Sequence, residues 1–451
     1  MKHLLKLTAA TTCAALALTT ASVTASITTA NAQSSGEAQK LADGVHHAAT
    51  TPADSFIHGY DPFYDDPVDN PGTPGTLLRT QPAPHLLNIL GPDFPGYAEK
   101  ILYTSTTVHG DPVATSGFVI EPANPWQGNG PTPTVIFAPG TRGAGDMCAP
   151  SRGPWLTAQL DAAQPALGVN YELVFYEAAA LAGMRVVVVD YIGLGTPGAH
   201  TYVLHDEEGH AMLDAARAVV PAGSPVAFYG YSQGGGASAA AAELQPTYAP
   251  ELNVKGTFAG APPADLMEVV KGVDTSTITS VLGYAANGYL ARYPELGAVL
   301  DAKLNDRGWE FLNGTKGSCM VDDALTRHFT STRDLTSTGE SLYEIVNSLP
   351  HIKQLFVDQK LGETAPTSPI MVSTGGNDDL VPTPQVVQLA RDYCALGVTT
   401  TMFNENIPPL TPGTKFGVNH AAGIITQSPT SFTWIMDRFN GVPAGSNCGT
   451  F

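Results

Sequence analysis

One serine of the chain stands among neighbours that could make it a nucleophile. Ser232 is the centre of a G-x-S-x-G pentapeptide, which follows a short apolar run and precedes an alanine-rich run. In the order strand, turn and helix, Gly230 and Gly234 permit the tight turn that places the serine hydroxyl above a sheet edge, and the helix N-terminus favours developing negative charge. The alternative is an ordinary helix start with a capping serine, which the flanking strand and helix patterns disfavour.

A nucleophilic serine requires a base and an acid, which follow this motif in the chain order serine, acid, histidine. His420 is the only histidine after residue 378. Two adjacent acids, Asp378 and Asp379, follow an apolar run at 369–374. Asp378 is favoured because it has G-x-x-D spacing to the preceding glycine and D-x-x-V-P spacing to the following Val-Pro pair. Its carboxylate would fix the imidazole tautomer. Asp379 is the alternative.

An ester-cleaving serine also requires N–H donors for the oxyanion of its tetrahedral intermediate. The residue after the nucleophile, Gln233, supplies the first. The second is expected from Thr141, in the P-G-T loop that follows the apolar run 134–138. Arg142, the next residue, is given no role.

Two polar clusters look like metal sites but are predicted to be structural. The segment 205–210 has a histidine at each end, but it lacks the H-E-x-x-H spacing and would place its acids in the first turn of a helix. The aspartates within 61–67 lack the ligand spacing of a calcium loop, which favours a surface loop over a metal site. We therefore expect neither a metal nor a cofactor.

The secondary-structure elements around these residues must position them. Along most of the chain, short apolar runs alternate with helical patterns. The predicted strands are 113–121, 134–138, 185–190, 225–229, 254–258, 369–374 and 398–403, and the predicted helices between them include 156–164, 171–182, 207–219 and 235–244. Continuous apolar strands alternating with helices predict an α/β fold with an open, mostly parallel sheet and helices on both faces.

One interval breaks this alternation. About 110 residues before the strand at 369–374 show no strand pattern but several helical stretches, including 278–290 and 341–356, and a structureless loop of that length is implausible in a compact domain. We predict a core formed by 98–262 and 366–451, a helical cap inserted at 263–365, and an N-terminal wrapping arm at 33–97. The stretch 278–290 is expected to line a pocket for an acyl chain, because the sheet edge alone offers no apolar groove.

Composition and the N-terminus restrict the class of protein. The 41 acidic and 22 basic residues give a formal charge of −19, and the chain has no basic cluster, so a nucleic-acid partner is not expected.

Residues 1–32 have the pattern of a cleaved secretory signal, so the mature protein would be secreted and begin near Gln33. The apolar run is too short for a membrane span. In an exported protein the four remaining cysteines predict two disulfides, with three connectivities open.

Several segments of the chain resemble the secretory lipase family of α/β-hydrolases, the group that includes the yeast lipase A type. The matching segments are D-P-F-Y at 61–64, P-G-T-L-L-R at 74–79, S-G at 116–117, C-A-P-S at 148–151, D-Y-I-G-L-G at 190–195 and L-D-A-A-R-A at 213–218. The resemblance implies an α/β-hydrolase fold and hydrolysis of triacylglycerols or other carboxyl esters beneath a helical cap. It places Ser232, Asp378 and His420 on the triad motifs. It also implies the pairings Cys148–Cys319 and Cys394–Cys448.

The leading hypothesis is a secreted serine carboxyl-ester hydrolase, a lipase or esterase that works through an acyl-enzyme. Its partners would be an ester or lipid substrate and, transiently, a lipid interface, with no transmembrane segment. An acyltransferase or peptidase on the same fold is an alternative. A non-catalytic cell-surface binding protein is another, since a fold alone does not provide activity.

Overall fold

The computed structural model describes residues 60–84, 95–161 and 166–451. The predicted signal peptide and the first part of the predicted arm lie outside these ranges.

Nine strands form one twisted sheet, and two more form a separate antiparallel pair. The strands are β1 (Leu77–Pro82), β2 (Gly96–Thr106), β3 (Pro112–Pro122), β4 (Thr134–Ala138), β5 (Ala158–Asp161), β6 (Ala166–Val169), β7 (Arg185–Val189), β8 (Pro225–Tyr231), β9 (Asn253–Gly260), β10 (Ile370–Gly375) and β11 (Thr400–Glu405). The order in the large sheet is β1-β2-β3-β7-β4-β8-β9-β10-β11, and β5 pairs with β6. Neighbours from β7 to β11 are parallel, whereas β1, β2 and β3 pair antiparallel at one edge.

Helices cover both faces of this sheet. They are α1 (Pro62–Asp65), α2 (Leu173–Leu181), α3 (His205–Val219), α4 (Gln233–Tyr248), α5 (Leu266–Val273), α6 (Val281–Arg292), α7 (Leu296–Lys303), α8 (Asp306–Gly314), α9 (Met320–Thr326), α10 (Leu342–Ser348), α11 (Pro350–Asp358), α12 (Thr383–Ala395) and α13 (Val418–Phe439). Short 3₁₀ helices occupy Asp146–Cys148, Pro150–Arg152 and Thr332–Leu335.

The apolar strands are explained by burial on both sides. In β4, Val135 and Phe137 enter a cluster that includes side chains of α2 and α13, whereas Ile136 and Ala138 enter a second cluster with side chains of α3 and α4. Successive side chains of a strand point to opposite faces, so a strand covered on both faces must be apolar throughout. This double burial places the ends of the central strands at a well-defined edge of the core.

Each of the seven predicted strands is present within two residues of its predicted limits, but other expectations were incomplete or wrong. The predicted arm contributes β1 to the sheet edge, where its half-exposed side chains show no alternation that a sequence could reveal. The helix predicted at 156–164 is wrong, because Ala158–Asp161 is the strand β5. Its backbone pairs antiparallel with β6, the next strand along the chain, so strand pairing overrides the helical preference of its residues.

Between β9 and β10 the described chain contains the helices α5 to α11, which we call the helical insertion. Its apolar side chains form a cluster of their own together with the segment 202–204. The single stretch expected at 341–356 is two helices, since Pro350 begins α11 and the preceding Leu349 has extended backbone angles. A salt bridge from Arg292 to buried Glu207, at 2.5 Å, joins the insertion to α3.

Both disulfides implied by the family resemblance are present. Cys148–Cys319 connects the loop after β4 to the helical insertion, and Cys394–Cys448 connects α12 to the C-terminal tail. Closing loops of this length restricts the unfolded chain, an effect of about 3–5 kcal/mol per bond in the chain-entropy account.

Candidate active site

The serine at the end of β8 sits in a strained turn, which we call the elbow (Gly230–Gly235). Ser232 has φ 60° and ψ −123°, outside the regions that non-glycine residues favour. A Cβ on Gly230 would lie 2.1 Å from the Gly234 carbonyl oxygen, and one on Gly234 would lie 1.9 Å from that of Ala138. Only glycine fits at either position, because each faces rigid backbone. The G-x-S-x-G spacing is therefore a packing requirement of this turn.

Backbone contacts hold the elbow against the neighbouring strand. The Ser232 N–H donates to the Gly260 carbonyl at the end of β9, at 2.8 Å, and the Ser232 carbonyl accepts from Gly236 in the first turn of α4. Strain of this kind persists only where the surroundings over-determine the conformation. Ser232 is only half-buried, so its side chain is presented to a cleft above the sheet.

The structure brings a carboxylate and an imidazole together at the same cleft. His420 Nδ1 lies 2.7 Å from Asp378 Oδ2, and the other Asp378 oxygen accepts the N–H groups of Leu380 and Val381 at 3.0 and 2.8 Å. This contact occupies Nδ1 and leaves Nε2 as the free ring nitrogen. His420 and Ser232 both line the cleft, and no hydrogen bond joins their side chains among the described residues.

The carboxylates also set the basicity of the imidazole. Burial by itself would lower the pKa of His420, but the Asp378 carboxylate, through its charge and its hydrogen bond, and more weakly Asp379, raise it above the ordinary value. The histidine is thus a stronger base than a free imidazole, in a site where it is 7% exposed.

The two adjacent aspartates have different contacts. Asp379 accepts the backbone N–H groups of Gly417 and His420, at 2.8 and 3.0 Å, and so anchors the first turn of α13. Asp378 alone contacts the imidazole. The geometry therefore agrees with the preference for Asp378 over Asp379.

The two expected oxyanion donors belong to different segments, Gln233 to the elbow and Thr141 to the loop after β4. Gln233 is the first residue of α4 and is buried. Thr141, also buried, follows β4, and its hydroxyl and carbonyl oxygen are held by the Tyr202 and Tyr171 hydroxyls at 2.8 and 3.1 Å.

The residue that the sequence left without a role, Arg142, supports this loop. Arg142 is buried and forms an ion pair with Glu172 at 3.1 Å, while the same Glu172 oxygen accepts the Gly140 N–H at 3.0 Å. A charged residue in a loop is ordinarily exposed. Nothing in the local pattern could have revealed a partner thirty positions away.

A largely apolar cleft opens over Ser232. Leu380, Val381, Tyr202 and Val203 contribute from the core. Side chains of the helical insertion form the facing side, including five from the stretch expected to line a pocket: Ile278, Val281, Leu282, Ala285 and Tyr289.

The two clusters that look like metal sites have structural contacts. His205 Nδ1 lies 2.6 Å from the Gln359 carbonyl oxygen, and His210 Nδ1 lies 3.0 Å from that of Thr106. Asp61 caps α1 by accepting the Phe63 N–H at 3.0 Å. Within 60–84, 95–161 and 166–451 no group of three or more candidate ligands could hold a metal ion.

Taken together, the mixed sheet, the elbow after a central strand and the Asp–His pair at the sheet edge define an α/β-hydrolase. The structure of Candida antarctica lipase A in its closed state has this fold, with a TM-score of 0.73, 23% identity and coverage of 89% of each chain. The sequence model of the secretory lipase family matches residues 158–447, and the chain belongs to this family.

Two relatives differ in what their names say about activity. The "probable inactive lipase MT1628" of Mycobacterium tuberculosis is 29% identical over 400 residues, which cover 85% of this chain and 82% of that protein. The "secreted triacylglycerol lipase LIP4" of Malassezia globosa is 26% identical over 403 residues, which cover 86% of this chain and 82% of that protein.

In the part of the chain that the structure describes, no helix has both the length and the apolar character of a membrane span.

Proposed function

We propose that the protein is a secreted serine hydrolase that cleaves carboxyl esters of lipids, with Ser232 as nucleophile, His420 as base and Asp378 as the acid. The observation that carries the proposal is the 2.7 Å contact between Asp378 and His420 at a cleft that also exposes a serine on a strained elbow. These three groups are the parts that acyl transfer through a serine requires.

The proposed reaction begins with proton transfer. His420 Nε2 accepts the Ser232 hydroxyl proton as Oγ attacks the ester carbonyl, and the N–H groups of Gln233 and Thr141 stabilise the oxyanion. The protonated imidazole then gives its proton to the departing alcohol, which leaves an acyl-enzyme. A water molecule, deprotonated by the same nitrogen, attacks the acyl carbon; the bond to Ser232 Oγ then breaks, Oγ takes the proton from the imidazole, and the acid leaves. Each step needs only groups of this chain, the ester and water.

The cleft supports an apolar acyl chain as the substrate's main contact. Its walls are aliphatic and aromatic, and burial of each methylene contributes about 0.8 kcal/mol. The name of the Malassezia globosa relative, a secreted triacylglycerol lipase, supports a triacylglycerol as substrate and secretion of the protein.

Transient contact with a lipid interface is part of the same proposal. Phe416 and Val418, close to His420 in the chain, are 50% and 40% exposed. The centroid of the Phe416 ring lies 5.2 Å from that of the Phe329 ring. Exposed apolar side chains beside a site favour an apolar surface as partner.

The second candidate is a non-catalytic protein on this scaffold. The observation that favours it is the name of the Mycobacterium tuberculosis relative, which marks that protein as a probable inactive lipase. The arrangement around Ser232 argues for catalysis here, since the elbow, the imidazole and its carboxylate are all retained.

The test combines turnover with covalent labelling. Nitrophenyl esters from acetate to palmitate should be hydrolysed, and a fluorophosphonate probe should label Ser232 alone. Ser232→Ala should lower kcat by about 10³-fold or more. The matched control is Ser238→Ala on the same helix, whose buried hydroxyl has no partner among the described residues and whose loss should leave turnover unchanged. Labelling elsewhere, or an active Ser232→Ala protein, would refute the nucleophile. A folded wild-type protein without hydrolysis or labelling would favour the non-catalytic candidate.

A further inference from the structure

The residue after the proposed nucleophile has a side chain that is held in a buried polar network. Gln233 is 2% exposed, and its Nε2 lies 2.8 Å from Glu208 Oε1 and 3.1 Å from His200 Nε2. An amide nitrogen carries two protons, so both are engaged. His200 accepts one of them as a neutral imidazole, because burial lowers its pKa to about 4.

The same oxygen of Glu208 also stabilises a residue with strained backbone angles in the wall of the cleft. Oε1 accepts the Val203 N–H at 3.0 Å, and Val203 has φ 54°, which is costly for a β-branched residue. Val203 and its neighbour Tyr202 line the cleft, and the Tyr202 hydroxyl lies 2.8 Å from Thr141 Oγ1. Glu208 therefore links the two segments that carry the proposed oxyanion donors.

We propose that Glu208 is a positioning residue for ester hydrolysis, which holds the segments of Gln233 and Thr141 at the spacing that the oxyanion requires. This inference rests on the proposed function. Glu208 is 1% exposed behind the cleft wall, so it acts through its neighbours and not on the substrate.

Glu208 suits this role as a neutral acid. Burial raises its pKa to about 8, and its Oε2 has no hydrogen-bond partner in the described ranges. A proton on Oε2 would leave Oε1 free to accept both hydrogen bonds. A glutamine amide has the same shape and can place its oxygen at Oε1, whereas alanine leaves both donors unpaired.

The test compares Glu208→Ala and Glu208→Gln with Glu243→Ala. Glu243 is a second buried carboxyl group. It lies ten residues after Gln233 in α4, which is about 15 Å along the helix axis at a rise of about 1.5 Å per residue. It accepts from Gly362 and Tyr393 and has no part in the elbow. Glu208→Ala should lower kcat on nitrophenyl esters by about 10- to 100-fold and change KM by less than about threefold. Glu208→Gln should restore kcat to within about threefold, and Glu243→Ala should keep it even if its melting temperature falls.

If Glu208→Ala does not fold, Gln233→Met carries the test, since it removes the amide and keeps the backbone N–H. It should lower kcat by about tenfold with little change in KM. Wild-type kcat in either folded variant would overturn the inference, as would an equal loss of kcat in Glu243→Ala. Those results leave the proposed function standing, because the wild-type protein would still hydrolyse esters and be labelled at Ser232.

Discussion

The elbow and the wall of the cleft opposite it, formed by side chains of α5 and α6, face the same space under different constraints. At the elbow, backbone packs against backbone: a Cβ on Gly235 would lie 2.2 Å from the Gly260 carbonyl oxygen, nearly as close as at Gly230 and Gly234. The cleft wall consists of side chains such as Val270, Leu282 and Ala285, whose volumes can change while the helices stay in place. Under the proposed function, the elbow would determine whether a reaction can occur, and the cleft wall would determine which acyl chain fits.

This difference predicts two kinds of variant. Changes at the elbow and its acid–base partners should alter the rate for every ester to the same degree. Changes in the cleft wall should alter the dependence of rate on chain length.

The largest effect is expected from Asp378→Asn. Loss of the carboxylate leaves the imidazole without the partner that fixes its tautomer, and kcat should fall by about 10³- to 10⁴-fold for acetate and palmitate esters alike. A nitrophenyl ester series measures this. A fall confined to long chains would contradict the separation of rate from chain length.

Asp379→Asn is the matched control, because Asp379 contacts only backbone N–H groups and an asparagine oxygen can still accept one of them. Its kcat should fall much less. The pH profile sharpens the comparison: the base must be neutral, so activity is lost as pH falls through the pKa of His420, which the carboxylate raises. Asp378→Asn should shift this acid limb to lower pH. If the two variants lose activity in the opposite order, the acid is Asp379.

A smaller but general effect is expected from Gly234→Ala. Its Cβ would lie 1.9 Å from the Ala138 carbonyl oxygen, so β4 and α4 must separate, at a cost of about 1–3 kcal/mol or more in stability. Turnover of every ester should fall with it. Thermal unfolding and the same ester series measure both, and an active variant of wild-type stability would show that the elbow is not rigid.

The control for this change is Gly297→Ala in the helical insertion. A Cβ there would have Leu290 Cδ1 as its nearest neighbour, at 3.8 Å, an ordinary contact. Alanine is the better helix former, so stability should be unchanged or rise by about 0.5–1 kcal/mol.

The smallest effect on overall rate, and the most selective, is expected from Ala285→Trp. The larger side chain fills part of the cleft, so the preferred acyl chain should shorten while acetate ester hydrolysis remains. Each methylene that no longer fits forfeits about 0.8 kcal/mol. Ala298→Trp, the same substitution at an exposed position of α7, should leave the profile as it is. An unchanged profile in a folded Ala285→Trp protein would exclude the pocket role.

Much of the core could be predicted because its signals are local. The strand β8, the glycines at 230 and 234 and the alanine-rich start of α4 are adjacent in the chain, and each restricts the backbone conformation of its neighbours. The strand β1 could not be predicted, since a half-exposed edge strand has no alternation to detect. The disulfide pairing came from family resemblance, because cysteine spacing alone leaves three connectivities open.

Local sequence signals specify the seven predicted strands and the order of the candidate serine, acid and histidine, since apolar periodicity and close-fitting glycines act over a few residues. The fold, and not the local sequence, brings Asp378 to the imidazole and Asp379 to the α13 backbone. It alone brought Arg142 to Glu172 and Glu208 to Gln233. The physical reason is that a buried polar group must find its partner among whatever the fold brings near, and that neighbour can lie many residues away in the chain.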